Sequence, residues 1–170
     1  MLNYIQETID DKRIICATSL DEIFMWVDAS HATHPDMKGK PGGILTMGWG
    51  ALHCKSSKQK LNTRSTMESE LVDVSEYLPY DIWFIHFLAH QVYMIKSNKL
   101  FQDNESAIKL ESNWRNACSS SSRHIDIRHF WVKDRTENKE LKVSFCLTEL
   151  MLADYFTKPL QGKSFHEFRN

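Results

Sequence analysis

"IFMWVDAS", Ile23–Ser30, is the stretch that decides how the chain is read. It opens with five apolar residues in a row, which predicts a central strand buried on both faces, and it runs out at Asp28. Downstream, "HATHPDMKGKPGG" (His31–Gly43) collects Pro35, Gly39, Pro41, Gly42 and Gly43 and reads as a loop. "ILTMGWGALHCKSS" then reads as a hairpin turning near Gly48 and Gly50. Upstream, residues 1–20 are ambiguous, with "RIICATS" a short apolar run.

From Thr66 the pattern becomes helical. Met67, Leu71, Val74 and Leu78 recur at spacings of three and four, Thr66 is the expected N-cap, and Pro79 predicts a kink or a restart before the helix ends near Tyr93. "LFQD" is a short strand and "NESAIKLESN" a short helix. "ACSSSSR" reads as an exposed loop, and "HIDIRHFWVKDRTEN" as a helix with Ile125, His129 and Val132 on one side. "ELKVSFCLTE" is a strand, and "ELMLADYFT" a last helix stopped near Pro159. Early strands joined by tight turns pair antiparallel, and later ones arriving through helices lie parallel to the first. The expected fold is α/β: a five-stranded mixed sheet, three antiparallel strands then two parallel, flanked by helices.

Composition narrows the function classes. The chain has 170 residues, 42% hydrophobic and 25% charged, which suits one soluble domain. The densest apolar run, Ile82–Ile95, carries His86, His90 and Gln91, so it reads as a buried helix and not a membrane span. Cys16, Cys54, Cys118 and Cys146 are far apart and form no C-x-x-C pair, as expected of reduced thiols in an intracellular protein. Net charge is −1, so global charge does not mark a nucleic-acid binder. Lys55, Lys58, Lys60 and Arg64 nevertheless fall together with no acid between them, either a solvated face or a phosphate-tracking surface.

On this scaffold Asp28 and Asp103 close neighbouring strands, Glu70 lies in the first turns of the long helix, and Asp154 follows the last strand. Each has an ordinary explanation as a cap, a dipole partner or a solvated acid. Together they lie at the strand carboxyl ends, where open α/β sheets build sites. Four close carboxylates stay ionised only if cations compensate them, and Mg²⁺ is the hard, oxygen-seeking partner. Two such ions about 4 Å apart suit in-line phosphoryl displacement.

The series "VDAS", "KSSKQKLNTRSTMESELV", "DNESAI", "RHIDIRHFWVKD" and "LADYFTKPL" resembles the ribonuclease H domain of Ty1/copia-type retrotransposon Pol polyproteins across nearly the whole chain. The resemblance implies residues 21–170 as a ribonuclease H-like domain and residues 1–20 as the tail of a preceding reverse-transcriptase connection region. It implies Asp28, Glu70, Asp103 and Asp154 as catalytic metal ligands, two Mg²⁺ ions with Mn²⁺ as a substitute, and cleavage of the RNA strand of an RNA–DNA hybrid. Lys58, Lys60, Arg64, Asn104 and His124 are the candidate substrate contacts. The implied partners are the hybrid and the reverse-transcriptase portion of the same polyprotein, with no membrane and no small-molecule cofactor; the implied location is cytoplasmic, in a virus-like particle. Some positions depart from the family pattern: Met67, Ser69, Leu147 and Leu150. The histidine that many cellular and retroviral ribonucleases H place shortly before the last aspartate has no counterpart in "CLTELMLAD". The alternatives are a decayed or domesticated domain that only binds nucleic acid or protein, and an integrase-like enzyme, whose acid spacing is missing here.

Overall fold

Alternation along the central strand sets the architecture. The computed structural model describes residues 5–6, 8–10, 12, 14–105, 108 and 123–169, less the side chains of 123–125 and 169. In β2 (Glu22–Ser30), Ile23, Met25 and Val27 point to one face and are fully buried. Phe24 and Trp26 point to the other and are only half-buried, so the strand is not buried evenly on both faces as expected. The reason is unequal cover. Helix α1 (Thr66–His90) and helix α2 (Arg123–Glu137) supply Leu71, Val72, Val74, Leu78 and Val132 to the first face. The second face is covered by the smaller cluster of Cys146, Met151 and Ala153, with Trp26 stacked on Phe101 at 4.9 Å between ring centroids.

The five-stranded sheet runs β5–β3–β2–β6–β7. β3 (Lys40–Thr46) pairs antiparallel with β2 and with β5 (His53–Ser56), while β6 (Ser97–Gln102) and β7 (Lys142–Phe145) run parallel to β2. This is the mixed sheet expected. Two short strands, β1 (Cys16–Ala17) and β4 (Gly48–Trp49), form a separate antiparallel ribbon.

Several boundaries differ from expectation. The expected loop at His31–Gly43 ends early, because β3 begins at Lys40 and takes in Pro41, Gly42 and Gly43. Those glycines serve close approach. A Cβ on Gly42 would lie 2.5 Å from the Thr157 methyl group, and one on Gly43 would lie 2.5 Å from the Tyr77 ring. The N-cap of α1 is Ser65, one residue before Thr66; its hydroxyl accepts the Glu68 backbone N–H at 3.2 Å, and Glu68 Oε2 accepts from Arg64 N at 2.8 Å. α1 runs unbroken through Pro79, held by Tyr77 and Leu78 in the core. It ends at His90, and its last part is buried on one side only: Ile82, Phe84, Ile85 and Leu88 pack against the core, while Trp83 is 65% and Phe87 45% exposed. The expected last helix is split into a 3₁₀ turn (Thr148–Leu150) and the one-turn helix α3 (Asp154–Thr157), with a further helix α4 (Gly162–Arg169) beyond Pro159. "ACSSSSR" and most of "NESAIKLESN" lie outside the described residues.

Candidate active site

Asp28 is even-numbered in β2 and shares the Trp26 face, opposite Gly42 on β3. Because Gly42 has no side chain, α3 packs directly onto this corner, and the Thr157 hydroxyl donates to Asp28 Oδ2. Asp103 follows the last residue of β6, and the Cys146 N–H bonds Gln102 O at 2.8 Å, holding the ends of β6 and β7 together. Thr148 Oγ1 donates to Asp103 Oδ2 at 3.4 Å. Asp154 opens α3, so its carboxylate comes up beside the other two. One carboxylate oxygen from each of Asp28, Asp103 and Asp154 lies within 4.8 Å of the others.

Glu70 approaches from α1, and its burial follows from the helix pattern: Leu71, Val74 and Leu78 anchor the same turns in the core. It is 3% exposed, and its Oε2 is buried without a hydrogen-bond partner. Burial first, then the charges of Asp28, Asp73 and Asp103, pushes its carboxyl well above the usual carboxylate range, against a backbone N–H from Ala29. Asp103 is raised by burial and by Asp28. Asp154 is pushed up to about 6 by burial and the charges of Asp28 and Asp103, although Lys158 opposes the shift. The acids thus disfavour one another's charge.

Lys158, Gln59 and Asp73 beside the site were not singled out as site residues in the sequence. Lys158 Nζ is 2.6 Å from Asp154 Oδ1 and 3.7 Å from Asp28 Oδ2. Its i,i+4 spacing from Asp154 was the available signal. Gln59, from the "SKQK" stretch, is buried; its Nε2 donates to Asp73 Oδ1 at 3.2 Å and to Ser69 O at 3.3 Å. Ser69, one of the departures from the family pattern, is buried and donates its hydroxyl to Gln59 Oε1 at 3.3 Å, so it helps seat the turn that carries Glu70. Asp73 is pushed up to about 9 by burial, then by the charge of Glu76, with Gln59 opposing.

No family model matches the chain. It is 29% identical over 167 residues, 97% of its length, to the Pol polyprotein of transposon TNT 1-94 from Nicotiana tabacum. It is 28% identical over 152 residues, 84% of its length, to the Gag-Pol polyprotein of transposon Ty1-NL2 from Saccharomyces cerevisiae. Its fold matches LC11-RNase H1, isolated from compost, with a TM-score of 0.58 over 80% of this chain and 92% of that one, at 14% identity. The same enzyme is also known in complex with an RNA/DNA hybrid, where the TM-score is 0.54. The chain is a ribonuclease H-fold relative of retrotransposon Pol polyproteins. It spans only 12% of the tobacco polyprotein and 8% of the yeast one.

In this ribonuclease H-fold chain the expected substrate contacts are dispersed. Lys58 pairs with Asp36 at 2.7 Å on the surface, and Lys60 and Arg64 are exposed in the segment leading into α1. Asn104 is half-buried beside Asp103. His124 sits in the first turn of α2, and its side chain lies outside the described residues. Cys16, Cys54 and Cys146 are free thiols. No helix among the described residues is long and apolar enough to cross a membrane.

Proposed function

We propose that this chain hydrolyses the RNA strand of RNA–DNA hybrids with divalent metal as part of retrotransposon reverse transcription. The observation that carries this is the convergence of Asp28, Asp103 and Asp154 within 4.8 Å, with the unpartnered Oε2 of Glu70 buried beside them. The donors are all carboxylate oxygens, which suits Mg²⁺ or Mn²⁺ and not a soft metal. Asp28, Asp103, Asp154 and Glu70 would hold the ions; bound there, they supply an activated water and a counter-charge for the departing 3′ oxygen.

The chain's own groups do the positioning. Thr157 and Thr148 aim the Asp28 and Asp103 carboxylates through their hydroxyls. The Gln59–Ser69–Asp73 network locks the approach segment onto α1 near Glu70. Lys58, Lys60 and Arg64 offer charge to the phosphate backbone, which fixes register without reading sequence. Asn104 and His124 are candidates for contact with the hybrid, where 2′-hydroxyls mark the RNA strand. The hybrid, and the reverse transcriptase of the same polyprotein, are the partners this function requires. Residues 1–20 are then the end of the connection region and residues 21–170 the nuclease domain, working inside the cell in a virus-like particle.

The test is cleavage of a labelled RNA–DNA hybrid with Mg²⁺, with single-stranded RNA and duplex DNA as controls. Hybrid-specific cleavage that disappears in folded Asp28→Asn and Asp103→Asn variants is the expected result. A folded chain that grips the hybrid but never cuts it would instead mark a binding module.

A further inference from the structure

Lys158 is the one cation bonded into the acid cluster among the described residues. Its Nζ lies 2.6 Å from Asp154 Oδ1 and 3.7 Å from Asp28 Oδ2, so it already bridges two of the three converging carboxylates. The two acids are almost wholly buried, with side-chain exposures of 7% and 4%, whereas the lysine side chain is 38% exposed. The carboxylates are therefore fixed by the fold, and the ammonium reaches them from the solvent side on a flexible stem. The stem starts at the residue capping α3, where the backbone leaves the helix for the extended conformation. Thr157, the neighbouring residue, supplies the other direct bond to Asp28.

A divalent ion and an ammonium are both drawn to the same oxygens, and they repel each other at contact distance. We propose that Lys158 is an internal counter-ion: it neutralises the Asp28–Asp154 side of the site in the ion-free protein and is displaced toward solvent when a divalent cation binds. This rests on the metal-site function proposed above. It makes two demands on one residue. Lys158 stabilises the empty acid cluster, and for the same reason it lowers the affinity of that cluster for metal.

The measurement is direct Mg²⁺ binding, by calorimetry and by the rise in Tm with Mg²⁺ concentration, on the whole chain without nucleic acid. Lys158→Met should melt lower than wild type in the absence of metal and bind Mg²⁺ roughly fivefold or more tightly. Lys158→Arg, which keeps the charge, should behave as wild type in both respects. If Lys158→Met does not fold, Lys158→Gln removes the charge while keeping a hydrogen-bonding end. Uncharged variants that bind Mg²⁺ no more tightly than wild type overturn the counter-ion role and leave the metal site standing; such variants with raised KM for hybrid would show that Lys158 serves the substrate phosphate instead. If neither wild type nor variant takes up Mg²⁺, both the counter-ion role and the metal site fail.

Discussion

The two halves of α1 distribute their residues in opposite ways. From Thr66 to Leu78 the helix buries two carboxylates, Glu70 and Asp73, among Leu71, Val72, Val74 and Leu78. Beyond Pro79 it exposes Trp83 and Phe87, stacked on each other at 5.6 Å, and keeps one acid buried, Asp81, which accepts from Asn98 Nδ2 at 2.6 Å. A carboxylate in the interior costs stability unless it is compensated, and an exposed aromatic forgoes stabilisation it could contribute. Asp81 Oδ2 has its amide partner, but one oxygen of each buried acid has none: Glu70 Oε2, Asp73 Oδ2 and Asp81 Oδ1. The first half carries an electrostatic cost that the charges of Asp28, Asp73 and Asp103 add to at Glu70. In the second half Asp81 is pushed up to about 6 by burial, with Asn98 opposing and none of the cluster's acids contributing, and the exposed aromatics mark incomplete cover.

The strongest way to break this contrast is Glu70→Gln. If the first half is functional, hybrid cleavage falls by roughly 10²-fold or more while Tm does not drop, since the amide removes a charge and keeps the shape. A Tm drop with unchanged specific activity would assign Glu70 to the fold. Leu71→Ala comes next. Leu71 is 1% exposed, and the cavity left by truncation should cost about 2–4 kcal/mol in chemical denaturation. A cost below about 1 kcal/mol would mean that the first half is not the packed part of the helix.

Asp73→Asn sharpens the comparison through pH. The folded carboxyl titrates at about 9 and its ordinary value is 3.8. Between those values the folded chain holds a proton that the unfolded chain has released, so stability declines as pH rises across that window. Asparagine removes this slope. The variant should equal wild type near pH 4 and exceed it by on the order of 2 kcal/mol already near pH 5.5, several degrees in Tm, with the gap widening toward pH 8. Parallel Tm profiles for the two proteins between those pH values would rule out a buried, protonated Asp73. The smallest effect belongs to the far half. Trp83→Ser should shift stability by less than about 0.5 kcal/mol and leave cleavage unchanged. A loss above about 1.5 kcal/mol would show that its stack with Phe87 is structural.

Much of the fold was legible because the signals were local. The apolar run at Ile23–Val27 and the period change at Thr66 mark β2 and α1 from side-chain spacing alone. The order of elements then restricts the sheet to three antiparallel and two parallel strands. The errors came where one residue type serves two purposes. Gly42 and Gly43 read as loop punctuation but are strand residues, placed where α3 and Tyr77 press against the backbone. Apolar content at Ile82–Ile95 predicts burial, but burial needs a neighbour: Ile82, Phe84, Ile85, Leu88 and Ile95 meet the core, while Trp83 stacks on Phe87 and stays 65% exposed. Pro159 correctly stops α3 and says nothing of α4 beyond it.

The candidate site divides the same way. Asp28, Glu70, Asp103 and Asp154 were visible as acids at the ends of elements, because an acid at a strand end or in a first helical turn is a local pattern. Tertiary structure alone decided that Asp28, Asp103 and Asp154 converge within 4.8 Å, that Gln59 holds Asp73 and Ser69, and that Lys158 reaches across to Asp28. Those contacts join residues from 10 to about 130 positions apart, made where β2, β6 and α3 meet at one corner of the sheet and where the segment before α1 folds back onto it. Periodicity records which side of an element faces inward; it does not record which partner is waiting there.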